Sequence, residues 1–151
     1  MFINDALIQI RKNTLQAVEH LSTEQLNKIP LNHSNNIAWQ IGHMMASQQI
    51  LCYLKSGAKP RLSQDILEKY RKGTSPADWK EMVALVDLKA LFLETAEVFQ
   101  KDYEAGVFAS YESYPTSSGI VLNSIDEAVT YSYGHENLHF GCILMLLKIV
   151  Q

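Results

Sequence analysis

Four stretches of the chain repeat apolar residues at alternating intervals of three and four, the spacing of an α-helix with one face turned inward. The first runs Ile3, Leu7, Ile10, Thr14, Val18, Leu21. The second opens after Asn35-Asn36, both favourable N-cap types, and reaches Ser56, where Gly57 stops it. The third is expected to open at Ser75-Pro76-Ala77-Asp78, a capping serine with proline at the first helical position. Its stripe is Leu85, Leu88, Phe92, Phe99 and Tyr103. The fourth opens at Ser124-Ile125-Asp126-Glu127, a capping box, and continues to the end of the sequence. A short helix is predicted at Ser63–Arg71, and the best strand candidate is Gly119–Leu122. Four long helices in one domain, residues 1–151, predict an all-α four-helix bundle. The connection over residues 57–75 could span about 65 Å when extended, so helices two and three can run parallel through a long crossover.

Composition agrees with a packed core: 47% of residues are apolar and 19% charged. A chain of this mass should expose roughly 7,800 Å² when folded. The net charge of −3 gives no basic field for nucleic acid or anionic lipid. The basic stretch from Lys55 to Lys72 is broken by Asp65 and Glu68 and reads as a solvated connector. Two cysteines, Cys52 and Cys142, make no disulfide framework. The opening residues lack the charge and cleavage pattern of a secretory signal. The apolar run Cys142–Leu147 is far short of the ~20 residues that span a bilayer. The expectation is a soluble cytoplasmic protein that binds neither membrane nor nucleic acid.

The chemistry concentrates in histidine. Along helix four the seam Ile125, Ala128, Ser132, His135, His139, Cys142, Leu146, Ile149 carries two imidazoles four residues apart. Helix two gives Trp39, His43, Ala46, Ile50, Tyr53. Three histidines on inward-facing positions cost free energy unless their nitrogens find partners, and a divalent metal satisfies all three at once. His43, His135 and His139 are therefore the expected metal ligands. His135-Glu136-Asn137-Leu138-His139 also spells the zincin pattern. A zincin, however, takes a third ligand from beyond the motif, and the twelve residues after His139 contain no His, Asp or Glu. Trp39, one turn before His43, walls the pocket or packs the core; His20 and His33 need no functional account.

Asn35-Asn36-Ile37-Ala38-Trp39-Gln40-Ile41-Gly42-His43, together with His135-x-x-x-His139-x-Gly141, resembles the DinB-like (YfiT-like) metalloenzymes. Leu21-Ser22-x-Glu24-Gln25-Leu26 and Pro30 look like that family's first connection. The resemblance implies a four-helix bundle of DinB/YfiT type with a long crossover between helices two and three. It implies a metal, commonly zinc or nickel, held by three histidines, and a homodimer. Some relatives are transferases or isomerases that use low-molecular-weight thiols. The chain departs from the pattern at Cys142, where the family often has glutamine; this thiol is a fourth ligand, a reactive thiolate or a small buried hydrophobe.

Two enzyme readings follow. A metal that activates a thiol gives a thiol S-transferase acting on a small molecule; one that activates water gives a hydrolase. A hydrolase needs a general base, and Glu136 is the acid beside the motif, as base or as a group orienting a histidine. Glu136→Gln should then separate the two. The third reading is a non-catalytic metal-binding bundle. Phe140–Val150 is apolar nearly all round, more than one core face needs, which predicts cover by a second subunit.

Overall fold

A computed structural model describes residues 2–151. Among the described residues six α-helices appear in the order α1 (Phe2–Val18), α2 (Thr23–Asn27), α3 (Ile37–Gln48), α4 (Gln64–Tyr70), α5 (Leu85–Glu104) and α6 (Ile125–Val150). Four of them are long and build the bundle, in which α1 and α3 each pack against both α5 and α6. The folded chain exposes 7934 Å², close to the size expected of its mass. None of the described helices is long and apolar enough to cross a membrane.

Helix directions follow from pairs of contacts. Trp39 and His43 on α3 meet His139 and His135 on α6, in that order, so those two helices are antiparallel. Asn27 bonds both Asn36, at the start of α3, and Val83, just before α5. Tyr53, past the far end of α3, reaches Phe99 and Asp102 near the end of α5. Helices α3 and α5 are thus parallel, and residues 57–84 make the long crossover.

Local chemistry sets most of the boundaries. The Asn36 side chain accepts from the Trp39 amide, and Ser124 accepts from Glu127. Ser22 and Gln25 close a full capping box on α2. The second long helix does not end as a regular α-helix: a π-helical turn, Gln49–Tyr53, and a tight turn, Leu54–Ser56, precede Gly57 at φ 71°. The π turn brings Leu51, Cys52 and Tyr53 all into the interior.

The third predicted helix start is corrected. Ser75 caps only the 3₁₀ turn Pro76–Asp78, and α5 begins at Leu85 with no side-chain cap. Tertiary contacts hold the intervening chain extended: Trp79 packs edge-on against Tyr70, and the Val83 amide donates to Asn27 Oδ1. The strand candidate becomes half of a two-residue hairpin, β1 (Tyr114–Pro115) paired antiparallel with β2 (Val121–Leu122).

The core is divided. One apolar cluster gathers Leu15, Val18, Ile37, Ile41, Phe92, Ile143 and Leu146; the other gathers Leu7, Tyr53, Phe99, Leu122, Ala128 and Val129. Between them lies a layer of buried polar groups, Arg11, Gln48, Thr95 and Glu136, none more than 3% exposed.

Candidate metal centre

Ala128, Ser132 and Leu146 of the expected seam are buried together with Val129, Glu136, Ile143, Leu147 and Val150, so the inward stripe of α6 is turned by about one residue where Glu136, Ile143 and Val150 replace His135, Cys142 and Ile149. His135 and Cys142 consequently stand on its flank, half-buried, while Ile149 is 44% exposed. α3 is buried on nearly every side and brings in His43 at 5% exposure. The rotation leaves the histidines at an edge of the core, where a small molecule can reach them.

One ring nitrogen from each of His43, His135 and His139 lies within 4.8 Å of the other two. His135 Nε2 and His139 Nε2 are 3.1 Å apart. Two nitrogens bound tetrahedrally to one zinc at 2.0–2.1 Å stand roughly 3.3 Å apart, so the spacing suits a shared ion. Hydrogen bonds fix the tautomers. His43 Nδ1 faces the Tyr70 carbonyl at 2.8 Å; a carbonyl only accepts, so Nδ1 carries the proton and Nε2 the lone pair. That lone pair accepts from the Ser47 hydroxyl at 3.3 Å. His139 Nδ1 pairs with Gln40 Oε1, which likewise turns its Nε2 lone pair toward the cluster. Orientation by a carbonyl or amide behind the ring is the usual support of a metal-ligating histidine.

Electrostatics favours the neutral, ligand-competent form. Burial lowers the pKa of His43, with the Tyr70 bond opposing and the Lys72 charge adding to the effect. His135 falls to about 4, first through burial and then through His43. His139 falls to about 3 through burial and its two neighbours. Trp39 stacks on His43 with ring centres 4.4 Å apart and an 11° tilt, while its Nε1 donates to Thr74. It walls one side of the site.

Glu136 lies elsewhere. It is fully buried, and among the described residues its hydrogen-bond partner is Arg11, whose Nε and Nη2 reach its two oxygens at 2.6–3.2 Å. Burial raises its pKa while Arg11 pulls the other way. Cys142 is outside the ligand group and lines a separate groove of about 700 Å³ with Gln40, Asn137 and Met145. Cys52 is fully buried and hydrogen-bonded to Ser132, and its thiol is pushed up to about 12, chiefly by burial.

Sequence reasoning missed Gln40, Tyr70 and Gly42 as supports of the site. Gln40 sits three residues before His43 on the same helix and so was within reach of the motif. Tyr70 carried no such signal, because its part is played by a backbone carbonyl. Gly42 matters through space: a Cβ there would lie 2.1 Å from a Tyr70 ring carbon.

The cluster opens into a pocket of about 220 Å³ lined by His43, His135, Ser47, Tyr114, Ser117 and Tyr131, with Arg71 and Lys72 on its wall. Among the described residues no Asp or Glu lines it. Such a site offers neutral nitrogen ligands, an open approach and no carboxylate. A sequence model described as the DinB superfamily matches residues 6–143. No curated protein matches the chain.

Proposed function

The chain belongs to the DinB superfamily, and from that premise we propose a divalent-metal-dependent enzyme of the thiol S-transferase type, with zinc or nickel held by His43, His135 and His139. The observation that carries this reading is the convergence of three imidazoles, two of which, His43 and His135, line an open pocket with no carboxylate among the described lining residues. A divalent ion held by the three histidines would supply positive charge that lowers the pKa of a nearby thiol and so makes it a nucleophile at neutral pH. In such a transfer the thiol sulfur forms a new bond to an electrophilic carbon, the leaving group departs with the old bond's electrons, and the thiol proton passes to solvent. Tyr70 and Gln40 hold the ligand rings in place, Trp39 limits access of water, and Tyr114, Ser117 and Tyr131 offer hydroxyls to the second substrate.

The hydrolase reading asks for a general base beside the nucleophile. Glu136 is tied to Arg11 through both oxygens, which favours the transferase. Elemental analysis tests the proposal. Protein purified without chelator or affinity-column nickel should carry about one ion per chain, and His43→Ala should lose it. No uptake even after incubation with zinc or nickel would overturn the reading and leave a non-catalytic bundle. With the ion present, a screen of small thiols against electrophiles, read by product mass, follows.

Two unpaired cysteines suit the reducing cytoplasm, where we place the protein. Leu138 and Met145 on α6, 65% and 63% exposed, support the further proposal that this face packs on a second copy of the chain. Sedimentation equilibrium showing a monomer at micromolar concentration would sink that.

A further inference from the structure

The pocket beside the histidines carries charge of one sign. Arg71 and Lys72 stand on its wall, and no Asp or Glu lines it among the described residues. Both follow Tyr70 directly, and the Tyr70 carbonyl accepts from His43 Nδ1. The backbone that orients a candidate ligand therefore sets the position of two cations one and two residues further on. What the sequence presents as a solvated basic connector ends, in the fold, at the mouth of the site.

These cations have capacity to spare. Arg71 donates Nε to Glu68 at 2.6 Å and Nη1 to the Lys72 carbonyl at 3.5 Å. The Glu68 pair is 52% exposed on each side, so it competes weakly for the guanidinium. Nη2 of Arg71 and the Lys72 ammonium have no partner among the described residues. Ser117 and Tyr131 add hydroxyls to the pocket lining, and Ile50 and Leu51 add apolar surface. Three neutral ligands would leave the charge of a divalent ion uncompensated, and Glu136 is already neutralised by Arg11. The local field is thus positive on a chain whose net charge is −3.

We propose that this pocket selects an anionic substrate: a small molecule whose carboxylate, sulfonate or phosphate is held by Arg71 and Lys72 while its reactive end reaches the three histidines. The inference rests on the metal-site reading for that reactive end; the cationic wall stands without it. Arg71 supplies a planar donor pair suited to such oxyanions, and Lys72 a mobile point charge.

Three short thiols of different charge test it: 3-mercaptopropionate, 2-mercaptoethanol and cysteamine. Titrated into the cobalt-substituted protein and followed by thiolate-to-cobalt absorption, they should bind in the order anion, neutral, cation. The anion should lead the neutral thiol by about tenfold. Arg71→Gln/Lys72→Gln should abolish the lead of the anion over the neutral thiol. Equal affinities in the parent protein, or a preference that survives in the double variant, would overturn the proposal. Failure to take up cobalt would instead strike at the metal-site reading. In that event the metal-free protein decides the present one: the Arg71 Nε–H and Lys72 amide resonances should move with 3-mercaptopropionate and not with 2-mercaptoethanol. An equal response to both, or none to either, would again overturn it.

Discussion

Arg11 and Glu136, 125 positions apart, form an ion pair with no solvent exposure at the centre of the bundle. The same guanidinium donates to the Phe92 carbonyl and Thr95 hydroxyl on α5, each at 2.8 Å, and to Gln48 on α3 at 3.0 Å. One side chain of α1 thereby touches each of the other three long helices.

Breaking the pair from one side should be costly, because the remaining charge stays buried without its partner. Arg11→Met or Glu136→Gln should each lose about 3–5 kcal/mol, whereas Arg11→Met/Glu136→Leu should lose much less than the sum. Urea unfolding of the four proteins measures this directly.

Gly42→Ala sets helix propensity against packing. Alanine gains about 1 kcal/mol of intrinsic preference inside a helix. The added Cβ would meet the buried Tyr70 ring at 2.1–2.5 Å, and such overpacking costs about 1–3 kcal/mol, so the contact should win. The Tyr70 carbonyl is displaced with its ring, so affinity for zinc should fall by about 10–100-fold, the usual effect of losing a ligand's hydrogen-bond partner. Competition with a zinc indicator, alongside a thermal melt, checks both halves. A variant that melts at a lower temperature yet binds zinc unchanged would show that Tyr70 does not orient His43.

Acid should destabilise the metal-free protein over a defined range. In the folded chain His135 titrates near 4 and His139 near 3, whereas an unfolded histidine titrates at about 6.5. Folded-state pKa values below the unfolded ones mean that the unfolded chain binds more protons between these limits. Stability is therefore full above pH about 6.5 and declines as pH falls toward 4 and then 3. His135→Gln/His139→Gln should flatten that part of the pH–stability curve, read by denaturant midpoints at each pH.

Serine caps of identical sequence signature should differ in worth. Ser124 starts a 26-residue helix, and Ser124→Ala should cost about 1 kcal/mol. Ser75 caps a three-residue turn and donates to the Ser34 carbonyl, so Ser75→Ala should cost less than half as much. Paired thermal melts would reveal the difference; equal losses would mean that the 3₁₀ turn is as integral to the fold as α6.

The contrast between those serines explains what could be read from the chain. The starts of α3 and α6 depend on residues within one turn, so Asn36 and Ser124 announce them. The start of α5 depends on Tyr70 packing against Trp79 and on Asn27 bonding Val83, contacts 9 and 56 residues apart that no local pattern encodes. His43, His135 and His139 were legible because helical spacing alone puts two of them on one side of α6 and the third at mid-helix on its antiparallel neighbour. Arg11 was overlooked: beside the stripe Leu7, Ile10, Thr14 it reads as a surface cation. The overlooked signal is its place in Asn4, Leu7, Arg11, Thr14, Val18, itself an inward repeat of three and four that the structure buries throughout.

The polar layer between the two apolar clusters has a consequence for how the helices settle against one another. If α1 slid by one turn, about 5.4 Å, its leucines and isoleucines would still meet apolar neighbours at modest cost. Arg11 would not; it would leave Glu136, Thr95 and Gln48 together and carry a bare charge into hydrocarbon. The layer works as an index mark that admits one alignment of the four helices and penalises the sliding errors that greasy surfaces tolerate. His135 adjoins Glu136 in the chain, so the same mark sets the height at which the imidazoles of α6 arrive opposite His43. Choosing the correct alignment and assembling the site are a single event.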